Sequence, residues 1–458
     1  MNSFVFKKER ISSIQTKGLK KNDSCEVEIT QSIVTEDLIF QNYTFKSLKF
    51  KSSNLKGNIS FINCTFDNIS FLDTKSSSNI TFSDCTVYKN VNIYNCTING
   101  SIRVLKSIIK GMYSINNTTT NSVELDITSA EKIQVSSDES SSVIKKILFN
   151  KVKSNSLISI TALSGTEEFR LESSSSPSFF LEKLNTKESS TININDCKFD
   201  LFQIDRNRFG LNSILIVSDA TLLDARLFKN TYKNSQVKIL NSIVTGILYI
   251  DSLENDDKYT IDFSTSSITN LKLDERLVSS ISKGIGLSPL LNQEGNIEQR
   301  VSTLRILKSS FANDHAYHSE DNCFYILKNE ESKILISSSN SLVKPIKILS
   351  YILNRFVFGW GVRVKNPILS SAAFILVMTG VYYIYFHIKS VSSNLEYMGY
   401  DTAGFFSCLL LSILAFFGQQ ADANLSADAP VFLLIIQFII GMILTTTFVG
   451  IIIRKLVR

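Results

Sequence analysis

Large apolar residues recur every 10 or 11 positions through the first part of the chain. The series comprises Phe40, Phe50, Phe61, Phe71, Phe82, Ile93 and Val104. A further apolar residue follows most members five positions later, namely Phe45, Leu55, Phe66, Val87, Ile98 and Ile109. An α-helix, which repeats every ~3.6 residues, cannot place such a series on one face. The pattern therefore predicts a β-solenoid, in which each short strand points one large side chain inward.

Small residues mark the corners of the predicted coils. They stand two positions before the second apolar residue, at Ser53, Cys64, Cys85, Cys96 and Ser107. Asn or Asp precedes three of them, at Asn63, Asp84 and Asn95, and we expect turns there. The pattern returns between 196 and 268 with coils of 22 to 24 residues. Residues 121–190 contain serine-rich runs and predict looser coils with surface loops, and an irregular β-sandwich stays an alternative fold.

From residue 296 the apolar period becomes helical. One predicted face carries Ile297, Val301, Leu304, Leu307 and Phe311, and a second carries Tyr317, Phe324, Tyr325 and Leu327. The spacing predicts a helical hairpin over about 296–330. His315, His318 and Cys323 resemble a metal-binding group. We expect no metal, because the histidines fall at the predicted turn and no fourth ligand is near in sequence.

Three apolar segments near the C-terminus predict membrane helices. Residues 367–388 and 431–453 contain no Asp, Glu, Lys or Arg. About 20 such residues, rising ~1.5 Å each, cross the ~30 Å hydrocarbon core of a bilayer. Residues 404–417 are apolar but too few to span. They predict a re-entrant helix that must be buried in protein, because its ends expose backbone groups.

Charge predicts the orientation in the membrane. Residues 339–366 carry Lys and Arg but no acid among apolar and aromatic residues, which predicts an amphipathic segment on the membrane surface. Basic residues also follow the second span, whereas the 389–430 loop is mainly acidic. Basic flanks lie on the cytoplasmic side. We therefore predict a multi-pass protein of the inner (plasma) membrane with both termini and the β-rich domain in the cytoplasm.

Composition, charge and the N-terminal sequence add further constraints. A net charge of +6, much of it beside the apolar segments, predicts no nucleic-acid partner. The seven cysteines fall largely at repeat positions and predict buried thiols of a reducing compartment. The basic N-terminus lacks the apolar core of a secretory signal, so we expect none. No cluster of inward Asp, Arg and Lys indicates an enzyme groove, and we predict neither catalysis nor a cofactor.

These patterns divide the chain into five parts. The predicted boundaries are 1–24 for an N-terminal tail, 25–277 for an all-β solenoid, 278–338 for a helical hairpin connector, 339–366 for a basic juxtamembrane segment, and 367–458 for an α-helical two-span domain.

The repeat resembles degenerate pentapeptide-repeat proteins over about 25–120 and 190–275, with Cys or Ser in the small position and Phe, Ile or Leu in the central one. Residues 340–458 resemble the two-transmembrane pore domain of the potassium-channel superfamily in their order of span, short apolar helix, polar turn and span. The whole order, including Gly359-Trp360-Gly361 before the first span, is similar to bacterial pentapeptide-repeat proteins fused to an ion-channel domain. The resemblance implies a right-handed solenoid and a homotetramer around one pore.

The filter turn, 418–424, departs from that family. Potassium channels carry Thr-Val-Gly-Tyr-Gly-Asp after the pore helix, and the matching residues here are Phe417, Gly418, Gln419, Gln420 and Asp422. Gly418 would stand for the first glycine and Asp422 for the terminal acid, whereas the second glycine and the tyrosine are missing. The glutamines predict a wider, less selective path. Asp422 and Asp428 predict an acidic ring at the outer mouth that attracts monovalent cations, and a solvated loop is the alternative.

Polar and small residues form a stripe along the second span. Gln437, Gly441 and Thr445 follow at i, i+4 and i+8, and we predict that they line the pore, with Phe448 as an inner gate. Packing between helices is the alternative role for the same stripe.

The sequence therefore predicts a homotetrameric ion channel, cation-conducting with non-standard selectivity. Its β-solenoid would regulate the pore by binding an unknown ligand or protein. Two alternatives stay open: a non-conducting, membrane-anchored scaffold, and a stress- or phage-triggered effector that depolarises the membrane.

Overall fold

The computed structural model describes residues 2–11, 24–138, 142–251, 259–263, 265–273, 297–388, 404–419 and 428–457. The chain divides into two compact units, Met1–Ser310 and Phe311–Arg458. The first unit is a parallel β-solenoid of about 11 turns. The second unit is helical.

Each coil of the solenoid contributes strands to two parallel sheets. Among the described residues, the first sheet contains β1 (Asn2–Lys7), β3 (Cys25–Thr30), β6 (Thr44–Lys51), β9 (Thr65–Leu72), β12 (Thr86–Val87), β13 (Val91–Tyr94), β15 (Ile108–Asn116), β17 (Ser129–Ser136), β19 (Lys153–Thr161), β21 (Ser175–Glu182), β23 (Lys198–Asp205), β26 (Thr221–Phe228), β29 (Ile243–Ile250) and β31 (Ser267–Leu273).

The second sheet contains β2 (Arg10–Ile11), β4 (Ile33–Val34), β5 (Leu38–Gln41), β7 (Asn54–Leu55), β8 (Ile59–Ile62), β10 (Lys75–Ser76), β11 (Ile80–Ser83), β14 (Thr97–Leu105), β16 (Thr119–Asp126), β18 (Ile144–Asn150), β20 (Ser164–Glu172), β22 (Asn185–Asn195), β24 (Arg208–Phe209), β25 (Ile214–Ser218), β27 (Thr231–Tyr232), β28 (Ser235–Leu240) and β30 (Tyr259–Asp262).

The apolar period seen in the sequence corresponds to half a coil. Phe40, Phe61 and Phe82 stack in one sheet, whereas Phe50 stacks on Phe71 in the other. The rings of Phe50 and Phe71 lie parallel, with centroids 4.7 Å apart. All five side chains are buried. The predicted solenoid core is therefore confirmed for this part of the chain.

The corners explain the pairing of Asn or Asp with a small residue. Asn63, Asp84 and Asn95 adopt left-handed backbone angles, with φ of 51°, 54° and 52°. Asn and Asp enter this region more readily than other residues with a side chain. The small residue that follows points inward, and the Cys64 thiol donates to the carbonyl of Phe40 at 3.3 Å.

The solenoid begins earlier than predicted. β1 pairs in register with β3, from Asn2 opposite Cys25 to Lys7 opposite Thr30. Residues 2–11 therefore belong to a coil, and the prediction of a tail over 1–24 is wrong for them. Parallel pairing with the next coil stabilises these residues, a contact that their short sequence does not reveal.

The 121–190 region continues both ladders, through strands β16 to β22, instead of forming looser coils. Large apolar side chains, among them Phe149, Phe169 and Phe179, fill the core of these coils. Polar residues occupy other inward positions. The Thr128 hydroxyl donates to the carbonyl of Val104 at 3.1 Å, and the Ser154 hydroxyl donates to the carbonyl of Glu131 at 3.0 Å. These hydrogen bonds satisfy the buried hydroxyls, so serine-rich runs are compatible with regular coils.

The α-helices that the structure describes are α1 (Ile297–Asn313), α2 (Tyr317–Ser337), α3 (Lys344–Ile352), α4 (Lys365–Ile388), α5 (Phe405–Phe416) and α6 (Asp428–Val457). Within the first unit, the Ser310 hydroxyl donates to the carbonyl of Leu271 on β31. This bond places Ser310, the residue of α1 at which the first unit ends, beside β31.

Candidate functional site

Two helices of the second unit are long and apolar enough to cross a membrane. The apolar stretches are Lys365–Phe386 in α4, with 22 residues, and Phe432–Val457 in α6, with 26. Only 17% of an 18-residue apolar window of each helix is buried within the chain. The core helix of a water-soluble protein would be mostly covered by its own chain. These two helices expose their apolar side chains, so lipid or other protein must cover them.

The short helix α5 packs against both long helices. Met378, Tyr382 and Phe386 from α4 form a buried cluster with Cys408 and Leu411 from α5. Leu433 and Leu434 of α6 pack against the edge of this cluster. The predicted short apolar helix is thus present, and it lies between the two candidate spans.

A buried polar network joins the three helices. The Tyr382 hydroxyl donates to Gln437 Oε1 at 2.7 Å. Gln437 Nε2 donates to the Ser412 carbonyl at 2.8 Å and to Ser412 Oγ at 2.6 Å. Ser412 Oγ in turn donates to the carbonyl of Ile375 at 2.9 Å. Tyr382, Ser412 and Gln437 are buried, so the network fixes α5 between α4 and α6.

The four residues predicted to line and gate a pore fall into two groups: two pack within the chain and two are partly exposed. Gln437 is fully buried, and its amide is used in the network. Gly441 lies against the end of α5, where an added Cβ would come within 2.2 Å of the Phe416 carbonyl oxygen. Thr445 and Phe448 are half-exposed and have surface to offer to a pore. The first two residues therefore hold α5 within one chain, and pore lining by the stripe stays a prediction.

The end of α5 has the hydrogen bonds of a Schellman motif. The Gly418 N–H donates to the Ala415 carbonyl at 3.2 Å, and the Gln419 N–H donates to the Leu414 carbonyl at 3.0 Å. Gly418 has a φ of 74°, the left-handed angle that this motif requires. The sequence reasoning assigned Gly418 to a filter and missed this role, although a glycine just after an apolar helix is the usual signal for it.

The other residues of the predicted filter are placed as follows. Phe417 and Gln419 are exposed. Gln420 and Asp422 lie outside the described residues. Asp428 is the first residue of α6. The filter path itself therefore stays a prediction.

A cluster of charged and aromatic residues holds α2 to the ends of both candidate spans, and we call it the connector cluster (Asp321, Phe324, Tyr325, Arg363 and Arg454). Arg454, in the last turn of α6, pairs with Asp321 of α2 at 3.1 Å. Its guanidinium also lies over the Phe324 ring, 5.6 Å from the centroid. Arg363 lies just before α4, and its guanidinium carbon stacks over Tyr325, 3.6 Å from the ring centroid. The sequence supplies these charges, but not their pairing across more than 100 residues.

A sharp elbow joins the basic segment to α4. Gly359, Trp360 and Gly361 all have positive φ, of 56°, 54° and 71°. The Trp360 indole N–H donates to Asn329 Oδ1 at 2.9 Å, so α2 holds the elbow as well. A left-handed tryptophan is costly unless its surroundings fix it. In α3 the apolar Ile346 and Leu349 are exposed, and the membrane-surface role of this segment stays a prediction.

The cysteines that the structure describes are buried, as predicted. Burial raises the pKa of Cys96 to about 11 and the pKa of Cys197 to about 12. Within the described ranges, no group of three His, Cys, Asp or Glu side chains could hold a metal ion. His315 Nδ1 instead lies 3.0 Å from the Tyr317 hydroxyl.

Comparison with known proteins adds no family to this picture. No family model matches the chain, and no curated protein or solved structure matches it.

Proposed function

We propose that the protein is a homotetrameric ion channel of the inner membrane that conducts monovalent cations. Four copies of α4, α5 and α6 would surround one pore, with α5 as a re-entrant pore helix. The observation that carries this proposal is the short apolar helix α5, fixed by buried hydrogen bonds between two long helices whose apolar faces are uncovered. A simple membrane anchor has no need of such a helix.

The exposed faces of the spans support assembly. Large apolar side chains stand outward on α4 and on α6, among them Leu369, Val377, Ile435 and Met442. A single chain leaves most of the apolar surface of both helices uncovered. Lipid would cover the outer faces in the tetramer, and neighbouring copies would cover the rest.

The connector cluster supports regulation from the cytoplasm. In this proposal, the basic ends of both spans lie at the cytoplasmic surface, with the exposed apolar side of α3 in the lipid headgroup region. Arg454 would transmit a movement of α2 to α6, and Arg363 would transmit it to α4. The solenoid, joined to α2 through α1, would provide the signal.

The direct test is current across a planar bilayer that contains the purified full-length protein, under potassium, sodium and chloride gradients in turn. We expect reversal potentials that follow the cations. Asp422→Asn should lower the cation current because it removes one negative charge per subunit from the outer mouth. Asp314→Asn, an equal charge change in the exposed turn before α2, should leave the current unchanged. Current that follows chloride would contradict the proposal.

One observation favours a second function. The Schellman motif at Gly418 and the burial of Gln437 assign two predicted pore residues to packing within one chain. This arrangement suits a non-conducting, membrane-anchored scaffold, in which the solenoid binds a partner. Intact tetramers that carry no current, both as the full-length protein and without residues 1–290, would move the assignment to this scaffold.

A further inference from the structure

A groove with a volume of about 530 Å³ opens on the surface of the solenoid. Four of its lining residues are cations, Lys183, Arg206, Arg208 and Lys229. The size falls within the range of small-molecule sites, roughly 300–1,000 Å³. No function assigned above uses this groove.

The coil repeat brings the four cations together. Lys183, Arg206 and Lys229 are the left-handed residues of one corner in three successive coils. The Lys183 N–H donates to the Asp205 carbonyl, and the Arg206 N–H donates to the Phe228 carbonyl, so the three turns stack directly. Adjacent coils lie about 4.8 Å apart. Arg208 follows two positions after Arg206 and pairs with Thr231 of the next coil.

Elsewhere on the solenoid, neighbouring coils place opposite charges side by side. Arg103 pairs with Glu124 at 2.8 Å, and Lys146 pairs with Glu168 at 3.1 Å. Such pairs are favourable, whereas like charges on facing strands are not.

In the groove, Arg206 has carboxylate partners: Asp205 at 2.9 Å and Glu182 at 4.0 Å. Lys183, Arg208 and Lys229 make no ion pair with any residue that the structure describes. The groove thus holds positive charge that the protein does not neutralise.

Buried asparagines hold the floor of the groove. Asn207 Nδ2 donates to Asn230 Oδ1 at 2.9 Å, and the Leu184 N–H donates to Asn207 Oδ1 at 2.8 Å. The Asn230 amide donates to the Ile204 carbonyl at 2.8 Å. At many other corners the inward residue is Ser, Thr or Cys, which makes fewer bonds. The asparagine ladder fixes the three turns, so the cations are presented from a rigid support.

We propose that this groove binds a soluble ligand with two or more linked phosphate groups. Arginine and lysine are the side chains that recognise phosphate oxygens, and a stack of cations suits a stack of anionic groups. The stripe is short, since Ala162 occupies the same corner in the preceding coil. Three coils cover about 10 Å, which matches a short polyphosphate and not a nucleic-acid strand.

The test is calorimetric titration of the full-length protein in phosphatidylcholine nanodiscs with pyrophosphate, and in parallel with orthophosphate. We expect pyrophosphate to bind about tenfold or more tightly than orthophosphate, because its two groups contact separate cations. The double variant Arg208→Gln and Lys229→Gln should lose this binding. The control is Lys106→Gln with Lys151→Gln, which removes the same charge from two other left-handed corner residues and should bind normally.

Equal loss in both double variants would mean a general charge effect and would overturn the proposal, as would the absence of pyrophosphate binding. Adding phosphatidic acid to the nanodiscs tests the source of the phosphate. Unchanged pyrophosphate affinity supports a soluble ligand, whereas competition would assign the groove to a lipid headgroup instead. The binding measurement needs no current, so it can fail or succeed independently of the channel proposal.

Discussion

At the scale of single residues, buried polar side chains determine how the second unit is built. Gln437 connects Tyr382 of α4 to Ser412 of α5, and none of the three side chains is left to solvent or lipid. A buried donor or acceptor that loses its partner is more costly than the bond itself is favourable. Such networks are therefore sensitive to substitution by apolar residues of the same size.

Gln437→Leu should lower the thermal stability of the purified protein in detergent. The change leaves the Tyr382 hydroxyl without its acceptor and removes the Gln437 donor from Ser412, whose hydroxyl keeps its bond to the Ile375 carbonyl, at a total cost of about 1–2 kcal/mol. Thr447→Val is the control, because the half-exposed Thr447 donates its hydroxyl hydrogen bond within its own helix, to the Ile443 carbonyl at 2.8 Å. The melting temperature measures both. An unchanged melting temperature together with altered conductance would show that Gln437 lines a pore.

The solenoid thiols give a prediction that depends on pH. Burial raises the pKa of Cys96 to about 11 and of Cys197 to about 12, above the ordinary value of 9.0. Their contribution to folding stability is therefore complete below pH 9 and is lost as the pH rises through the folded-state values. At pH 8 the native protein should show no alkylation of either cysteine by mass spectrometry, whereas unfolded protein should be labelled at both.

An exposed corner position supplies the control. Ser52→Cys should react with the same reagent in the native protein, because residue 52 lies at the surface. Labelling of Cys197 at the rate of that cysteine would show that the coil opens readily.

At the scale of elements, the strongest sequence patterns located the helices well. The predicted spans 367–388 and 431–453 correspond to α4 and α6, and the short segment 404–417 corresponds to α5. Their lengths and apolar composition are local properties that the sequence displays. The coil formed by β1 and β2 was not found, because two short strands carry too few residues for a period to show.

The Asp321–Arg454 ion pair joins α2 to the end of α6, so its loss should alter gating. In a double-mutant cycle, Asp321→Asn and Arg454→Gln should each change the open probability of the channel in bilayer recordings. The double variant should differ little from either single variant, because both remove the same ion pair at the end of α6.

The ion pair Lys333–Glu330 on α2, at 2.8 Å, provides the comparison, because both residues lie on one helix. Lys333→Gln should leave the open probability unaltered, since i,i+3 pairs within a helix contribute roughly 0.2–0.5 kcal/mol and this pair does not involve either candidate span. Strictly additive effects of the Asp321 and Arg454 changes would argue against coupling through this pair.

At the scale of the whole molecule, a solenoid unit is joined to a helical unit that exposes apolar surface. Closed symmetric assembly is the common way in which copies of one chain cover such surface. Light scattering of the detergent-purified protein, corrected for bound detergent, should give a protein mass four times the 51.4 kDa of one chain. A protein that stays monomeric under conditions where it remains folded would remove the basis for a central pore.

The solenoid and the long apolar helices could be predicted from the sequence, because periodicity and apolar length are local features. The spacing of Phe40, Phe50 and Phe61 was sufficient to identify coils, and the composition of 367–388 and 431–453 was sufficient to identify candidate spans. Only the tertiary structure decided which distant residues meet. It placed Gln437 in a network within the chain, brought Arg454 to Asp321, and stacked Lys183, Arg206 and Lys229 in one groove. These contacts depend on the packing of several elements, and no single stretch of sequence contains that information.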